Sequence, residues 1–236
     1  MARGKELEPV DAEYAEAEQF VDGILPRGAV LKVLDIKAGE QRFEIRRPIY
    51  VVGVDVLQAE RGRRVDADEH RVMDLEEVDL ESDEYDVVLC VNVLEHARQP
   101  KVLLYHVSKA LKPGGTFVIV VPNVASLKSF VVRLVPWTVQ CWFYTRVLRG
   151  DDYPARAVHR FSLRPNALVR QAHLGGWKVE YFRTYEGPVQ RRVRHRFGIV
   201  GWRWKAIVAV TRVVTLGLLT ADDTGIIAVF TKLPLG

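Results

Sequence analysis

An open α/β sheet, doubly wound with helices on both faces, is the fold this sequence predicts. Three observations carry it. Short β-branched runs recur at 30–36, 50–56, 70–73, 85–92 and 116–121. Segments of helical or turn-like character separate them. Several of the runs are continuously apolar, as parallel strands are when helices cover both of their faces.

The elements follow in order. Residues 11–25, rich in Ala and Glu, read as a helix with Tyr14, Phe20 and Ile24 as buried contacts. After the first strand, Pro48 leaves room for only about two helical turns between Glu40 and Arg47. Residues 102–111 place apolar side chains at helical spacing, and Lys112-Pro113-Gly114-Gly115 stops that helix in a tight turn. The pattern changes after Pro122-Asn123. Residues 124–150 read as two apolar, partly basic helices broken near Pro136, too long for an ordinary strand-to-helix loop. A polar turn at 151–154 precedes a helix over 164–174 that Gly175-Gly176 ends. Two strands are expected at 177–185 and 224–232, with a mostly helical segment, 191–219, between them.

The 236 residues, 48% hydrophobic, suit one domain with a core at 26–123 and 161–236 and a helical insertion at 124–160. Two cysteines, Cys90 and Cys141, are too few for a disulfide framework, which suits a reducing cytoplasm. The first 20 residues show no apolar signal core. The most apolar stretch, 206–221, is 16 residues long and carries Arg212, short of the roughly 20 a spanning helix needs.

Charge divides the chain. Residues 1–100 hold 13 Lys+Arg against 24 Asp+Glu, whereas residues 101–236 hold 21 against 6 and all five tryptophans. A basic half of this kind is either a solvated face or a surface for an anionic partner. Within it, Arg191, Arg192, Arg194 and Arg196 precede Trp202-Arg203-Trp204-Lys205 and an apolar run. That order suits either a helix lying in a membrane interface or one packed on the sheet with snorkelling arginines.

The chemistry concentrates at strand ends. Asp35 closes the first strand ahead of a loop containing Gly39 in Val-Leu-Asp-Ile-Lys-Ala-Gly, at the carboxyl edge where open α/β sheets bind ligands. Asp55 ends the second strand and is placed to accept hydrogen bonds from ribose hydroxyls. Asp74 and Leu75, ending the third, offer a carboxylate and backbone to an adenine edge.

At this point the sequence resembles the class I S-adenosylmethionine-dependent methyltransferases. The resemblance runs from about 30 to 123 through VLDIKAG, VVGVDV, MDL, EYDVVLCVNVLEHARQP and ALKPGGTFVIVVPN. Beyond Asn123 it is looser; RLVPW, DDYPARAVHRFS and Gly-Gly-Trp look like small bacterial members with a helical insertion after the fifth strand. It implies a Rossmann-like sheet of seven strands ending in an antiparallel hairpin, S-adenosylmethionine as cofactor, and methyl transfer. The first motif departs from the family's Asp-x-Gly-x-Gly-x-Gly, aligning as Asp35, Lys37, Gly39 and Gln41. Lys37 therefore either points at the cofactor's carboxylate or occupies its space. A noncatalytic partner that keeps the fold, or a membrane-peripheral scaffold, is the rival reading that this loop motivates.

Transfer to an alcohol needs a base for its proton. His96, in the segment leaving the fourth strand, is the first candidate, and His159, in the insertion, the second. Asn92 is assigned to the cofactor side. Asn92, Glu95 and His96 also resemble the Glu-x-x-Glu-His metal cluster of some O-methyltransferases, but an amide replaces the first carboxylate and is the poorer ligand, so no metal is expected. The segment CVNVLEH lacks the Asn-Pro-Pro-Tyr type motif of enzymes that methylate flipped bases, and no RNA module is visible, so nucleic acid is not expected. The expected acceptor is a glycan, a lipid-linked intermediate or another secondary metabolite. The expected location is the cytoplasm, with peripheral contact to an anionic inner-membrane face.

Overall fold

The computed structural model describes residues 9–37, 43–55, 67–72, 80–146 and 164–234. Helix α1 (Pro9–Ile24) precedes strands β1 (Leu31–Lys37), β2 (Ile49–Asp55), β3 (Glu69–Val72) and β4 (Tyr85–Val91). Helix α2 (Pro100–Ala110) runs into β5 (Leu111–Pro122), and α3 (Leu127–Leu134), α4 (Trp137–Arg146) and α5 (Pro165–Leu174) follow. Strand β6 (Trp177–Tyr185), helices α6 (Pro188–Arg196) and α7 (Trp202–Val214), and strand β7 (Gly225–Lys232) complete the order. The seven strands form one sheet, β3-β2-β1-β4-β5-β7-β6. Neighbours from β3 to β5 pair parallel, and β7 pairs antiparallel with both β5 and β6. This is the seven-stranded Rossmann-like sheet that the resemblance implies, with its order reversing between β1 and β4, the crevice at which such sheets bind ligands.

Side-chain alternation splits the core into two layers. Leu34, Ile36, Cys90, Phe117, Ile119 and Phe230 face α2 and α5, which add Leu103, Val107, Leu168 and Ala172. Leu31, Val33, Leu89, Val118, Ile227 and Val229 face α1, which adds Tyr14, Ala17 and Val21. The spacing of those three residues, i, i+3 and i+7, is one face of a helix. At about 25 cal/mol per Å² of apolar surface, two such layers supply most of the drive to fold.

Three sequence expectations are corrected, the first being Ile24, which is 41% exposed at the end of α1 rather than buried. Residues 43–48 contain no helix. They run as irregular chain beside α1, where Glu18 accepts a hydrogen bond from the Glu44 amide at 2.8 Å and Asp22 one from the Arg46 amide at 2.9 Å. Side chains of α1 thus satisfy donors that a helix would otherwise use. Lys112-Pro113-Gly114-Gly115 is not a turn between elements but lies inside β5. Leu111 pairs with Tyr85 and Thr116 with Val87, so the extra residues form an irregularity that resets the register. Glycine is required there: Gly114 has φ +77°, and a Cβ on Gly115 would lie 2.8 Å from the Lys112 carbonyl.

The 124–150 segment does break at Pro136, giving α3 and α4 over the described part. Ser126 caps α3, its hydroxyl accepting from the Ser129 amide at 3.0 Å. The expected helical stretch 191–219 is two helices, α6 and α7. Ahead of α3, buried Asn123 ties β5 to the approach of β7. Its amide hydrogen-bonds the Thr224 carbonyl at 2.9 Å and its side chain the Asp223 carbonyl at 2.9 Å.

Candidate active site at the carboxyl edge of the sheet

The parallel strands end together. Lys37 is the register partner of Asp55 on β2 and of Val91 on β4, so β1 carries a basic residue between an acidic neighbour and the turn into Asn92. Asp35, two residues earlier, is 6% exposed. It stands on the α1 side of the sheet, in alternation with Leu31 and Val33. Gly39, Asp74, Leu75 and His159 lie outside the described residues.

After β4 the chain turns sharply. Asn92 has φ +54°, in the left-handed region that asparagine tolerates better than most side chains. Its amide remains tied to the Val120 carbonyl at 2.8 Å. The turn that follows is closed by the His96 amide on the Val93 carbonyl at 2.8 Å. It leaves His96 half-buried at the rim and turns Glu95 inward. Asn92 and His96 therefore do come together at the edge where Asp55 and Lys37 end their strands.

Sequence reasoning gave Glu95 a place only in the metal-cluster resemblance, took Tyr14 as a buried contact of the first helix without linking it to the site, and missed Tyr185. Glu95 is 3% exposed, and its Oε2 atom has no hydrogen-bond partner. Burial pushes its carboxyl up to about 8, so it is mainly protonated at neutral pH. Tyr14 and Tyr185 meet edge to face with ring centroids 6.0 Å apart, and Phe43 lies 6.4 Å from Tyr14. Burial, with the Glu95 charge adding to it, pushes the Tyr185 phenol up to about 12 and raises that of Tyr14 further. Two neutral phenols and a neutral carboxyl are what a low-dielectric rim favours. The signal that could have found Glu95 is its place in Val-Leu-Glu-His, a charged residue following the buried Val93 and Leu94.

The residues present fit an adenosyl cofactor carrying an amino-acid end. Asp55 ends β2 at the edge where sheets of this order bind ligands, and the orphaned Glu95 oxygen is a buried polar group without an internal partner at the same rim. Among the described residues no three metal-ligating side chains cluster.

A family model described as a methyltransferase domain matches residues 12–181. The chain is 30% identical over 185 residues to a ubiquinone biosynthesis O-methyltransferase of Hahella chejuensis, covering 73% of this chain and 68% of that protein. A second protein of the same name, from Idiomarina loihiensis, is 30% identical over 132 residues, and the match covers 50% of this chain and about half, 51%, of that relative's length. Among solved structures, an S-adenosylmethionine-dependent methyltransferase from Mesorhizobium loti aligns with a TM-score of 0.51 at 15% identity, covering 92% of this chain and 96% of that one. The [4+2]-cyclase SpnF aligns with a TM-score of 0.53 at 14% identity, covering 94% and 81%. Structural likeness at such identity speaks to the fold alone. The family match spans most of the chain and includes the strand ends just described, and on it this protein belongs to the class I S-adenosylmethionine-dependent methyltransferases.

Proposed function

We propose that the chain methylates a hydroxyl oxygen of a small acceptor, whether a glycan, a lipid-linked intermediate or another metabolite. The observation that carries this reading is a histidine at the rim, His96, beside strand ends that suit an adenosyl cofactor. The two curated relatives named as O-methyltransferases support oxygen as the acceptor atom.

When bound, S-adenosylmethionine supplies a methyl group on a sulfonium that leaves as a neutral thioether. The chain's own work is then positioning and proton removal. Asp55 accepts hydrogen bonds from ribose hydroxyls, and the Lys37 end of β1 lies between Asp55 and the turn through Asn92. His96 takes the acceptor proton on a ring nitrogen; His159 is the second candidate for that role. Tyr14, Phe43 and Tyr185 keep water from the α1 side of the rim.

The test is transfer of labelled methyl from S-adenosylmethionine to a panel of hydroxylated acceptors. His96→Ala is expected to lower turnover by roughly 10² to 10⁴, the usual contribution of a general base, while cofactor affinity stays close to wild type. Near-full turnover in His96→Ala and loss in His159→Ala would move the base to the insertion.

A cytoplasmic chain in peripheral contact with an anionic membrane is the partner reading. Residues 188–219 hold seven Lys+Arg and no Asp or Glu, which favours it. Among the described residues no helix is long and apolar enough to cross a membrane.

A further inference from the structure

Helix α7 is amphipathic in the reverse of the usual sense. On a helix that covers a sheet, the apolar stripe faces in and the polar stripe faces water. Here Thr211 is buried, whereas Trp202, Ala206, Ala209 and Val213, at i, i+4, i+7 and i+11, are all exposed. Trp202 is 76% exposed, Val213 74%, and Leu216 just beyond the helix 89%. Arg203 and Lys205 are exposed beside this stripe.

The second insertion behaves alike. In α3 and α4, Phe130, Leu134 and Trp142 are exposed. Of the 20 large hydrophobic residues exposed among those described, 14 lie within 127–146 and 188–218, so the exposure is concentrated rather than scattered. The two insertions leave the sheet from one place. Ser126, the cap of α3, bridges to Thr220, and the Leu127 amide donates to the Thr220 carbonyl at 2.7 Å. That junction stands where β5 ends and β7 begins, on the same edge as the candidate active site.

The charge on this surface selects its partner. Residues 127–146 and 188–219 together contain ten Lys+Arg and no acidic residue. A second copy of the chain would set like charge against like across a symmetric interface. A continuous apolar stripe, flanked by cations and headed by a tryptophan, matches the boundary between headgroups and acyl chains.

We infer that α7 and the α3–α4 pair form a single docking face for an anionic lipid bilayer, seating the carboxyl edge of the sheet toward the membrane. The inference rests on the peripheral reading above and specifies its surface. The four arginines of α6 do not all serve it. Arg194 makes two hydrogen bonds of 2.8 Å to Glu186 and lies over the Trp204 ring at 5.0 Å, while Arg191 is 3.8 Å from Glu186. Those two hold α6 and α7 to the end of β6. The exposed Arg192, Arg203 and Lys205 are left to face lipid.

The test is cosedimentation of the full chain with phosphatidylcholine vesicles, with and without phosphatidylglycerol, and calorimetry with S-adenosylhomocysteine in parallel. Binding is expected only where phosphatidylglycerol is present. Arg203→Gln with Lys205→Gln should weaken it roughly twenty-five-fold, at about fivefold per charge, and less as salt is raised. Trp202→Ser with Val213→Ser, and separately Leu134→Ser with Trp142→Ser, should each weaken it at least about tenfold while the chain stays folded, since all four residues are exposed. Equal binding to both vesicles, undiminished binding in the two serine pairs, or a lipid-free dimer that these pairs dissociate would overturn the inference. Loss of vesicle binding with S-adenosylhomocysteine binding intact would fail the docking face alone. Intact vesicle binding without S-adenosylhomocysteine binding would fail the cofactor reading and leave the face standing.

Discussion

The ring of Tyr185 lies directly over Gly225, so close that a Cβ on Gly225 would stand 2.4 Å from its Cζ atom and 2.7 Å from its phenol oxygen. The two residues are also register partners, at the last position of β6 and the first of β7. Only a residue without a side chain admits the ring, and the phenol it carries is close enough to Glu95 for that carboxylate's charge to help raise its pKa. Gly225→Ala is expected to cost about 1–3 kcal/mol, the usual range for overpacking, as measured by urea unfolding. In a Tyr185→Ala background the same change should cost far less. Additive losses would show that the ring is not the cause.

Asp55→Ala should weaken S-adenosylmethionine binding by about 1.5–3 kcal/mol, the range for hydrogen bonds to a charged group, with the fold intact by circular dichroism. Lys37→Gly reads the altered first motif. Calorimetry will show weaker binding if the lysine pairs with the cofactor's carboxylate, and tighter binding if it occupies the cofactor's space.

Glu95 predicts an unusual dependence of stability on pH. Its folded carboxyl titrates near 8, above the ordinary value of 4.5, because burial disfavours the charge. Between those two values the unfolded chain has lost a proton that the folded chain keeps, so this group's contribution to stability falls as pH rises. The slope is at most about 1.4 kcal/mol per pH unit, and it levels off above the folded value. Glu95→Gln should flatten the decline between pH 5 and pH 9 in calorimetric melts and should melt above wild type at the alkaline end. A parallel decline in both proteins would remove Glu95 as its source.

Arg194 and Arg192 stand two residues apart and should behave oppositely. Arg194→Ala leaves Glu186, 13% exposed at its side chain, without its two charged hydrogen bonds, at an expected cost of about 1–3 kcal/mol. Arg192→Ala, on the exposed side of the same helix, is expected to stay within about 0.5 kcal/mol in chemical denaturation.

Much of the fold was legible because the core strands are buried on both faces and therefore read as unbroken apolar runs; β4 and β5 are examples. The segment 43–48 was not legible as non-helical chain, because the carboxylates that satisfy its amides come from α1, more than 20 positions away. The strand placement of Lys112 to Gly115 was hidden for a similar reason: Pro and Gly announce a turn locally, and only pairing of Leu111 with Tyr85 keeps the chain in the sheet.

The candidate site divides in the same way. Residues at or next to strand ends, Asp35, Asp55 and Asn92 among them, could be placed at the carboxyl edge from the sequence, because strand order and that edge follow from apolar pattern and motif spacing. Tyr14, Glu95 and Tyr185 come from α1, the turn after β4 and the end of β6, and nothing in their local sequences links them. Sequence alone likewise located the basic, tryptophan-rich half of the chain. Which of its arginines are tied to Glu186 and which are exposed, and that the apolar stripe of α7 is left exposed, were decided only by tertiary packing. Burial and ion pairing depend on neighbours brought together by the fold, whereas periodicity and composition are properties of the chain itself.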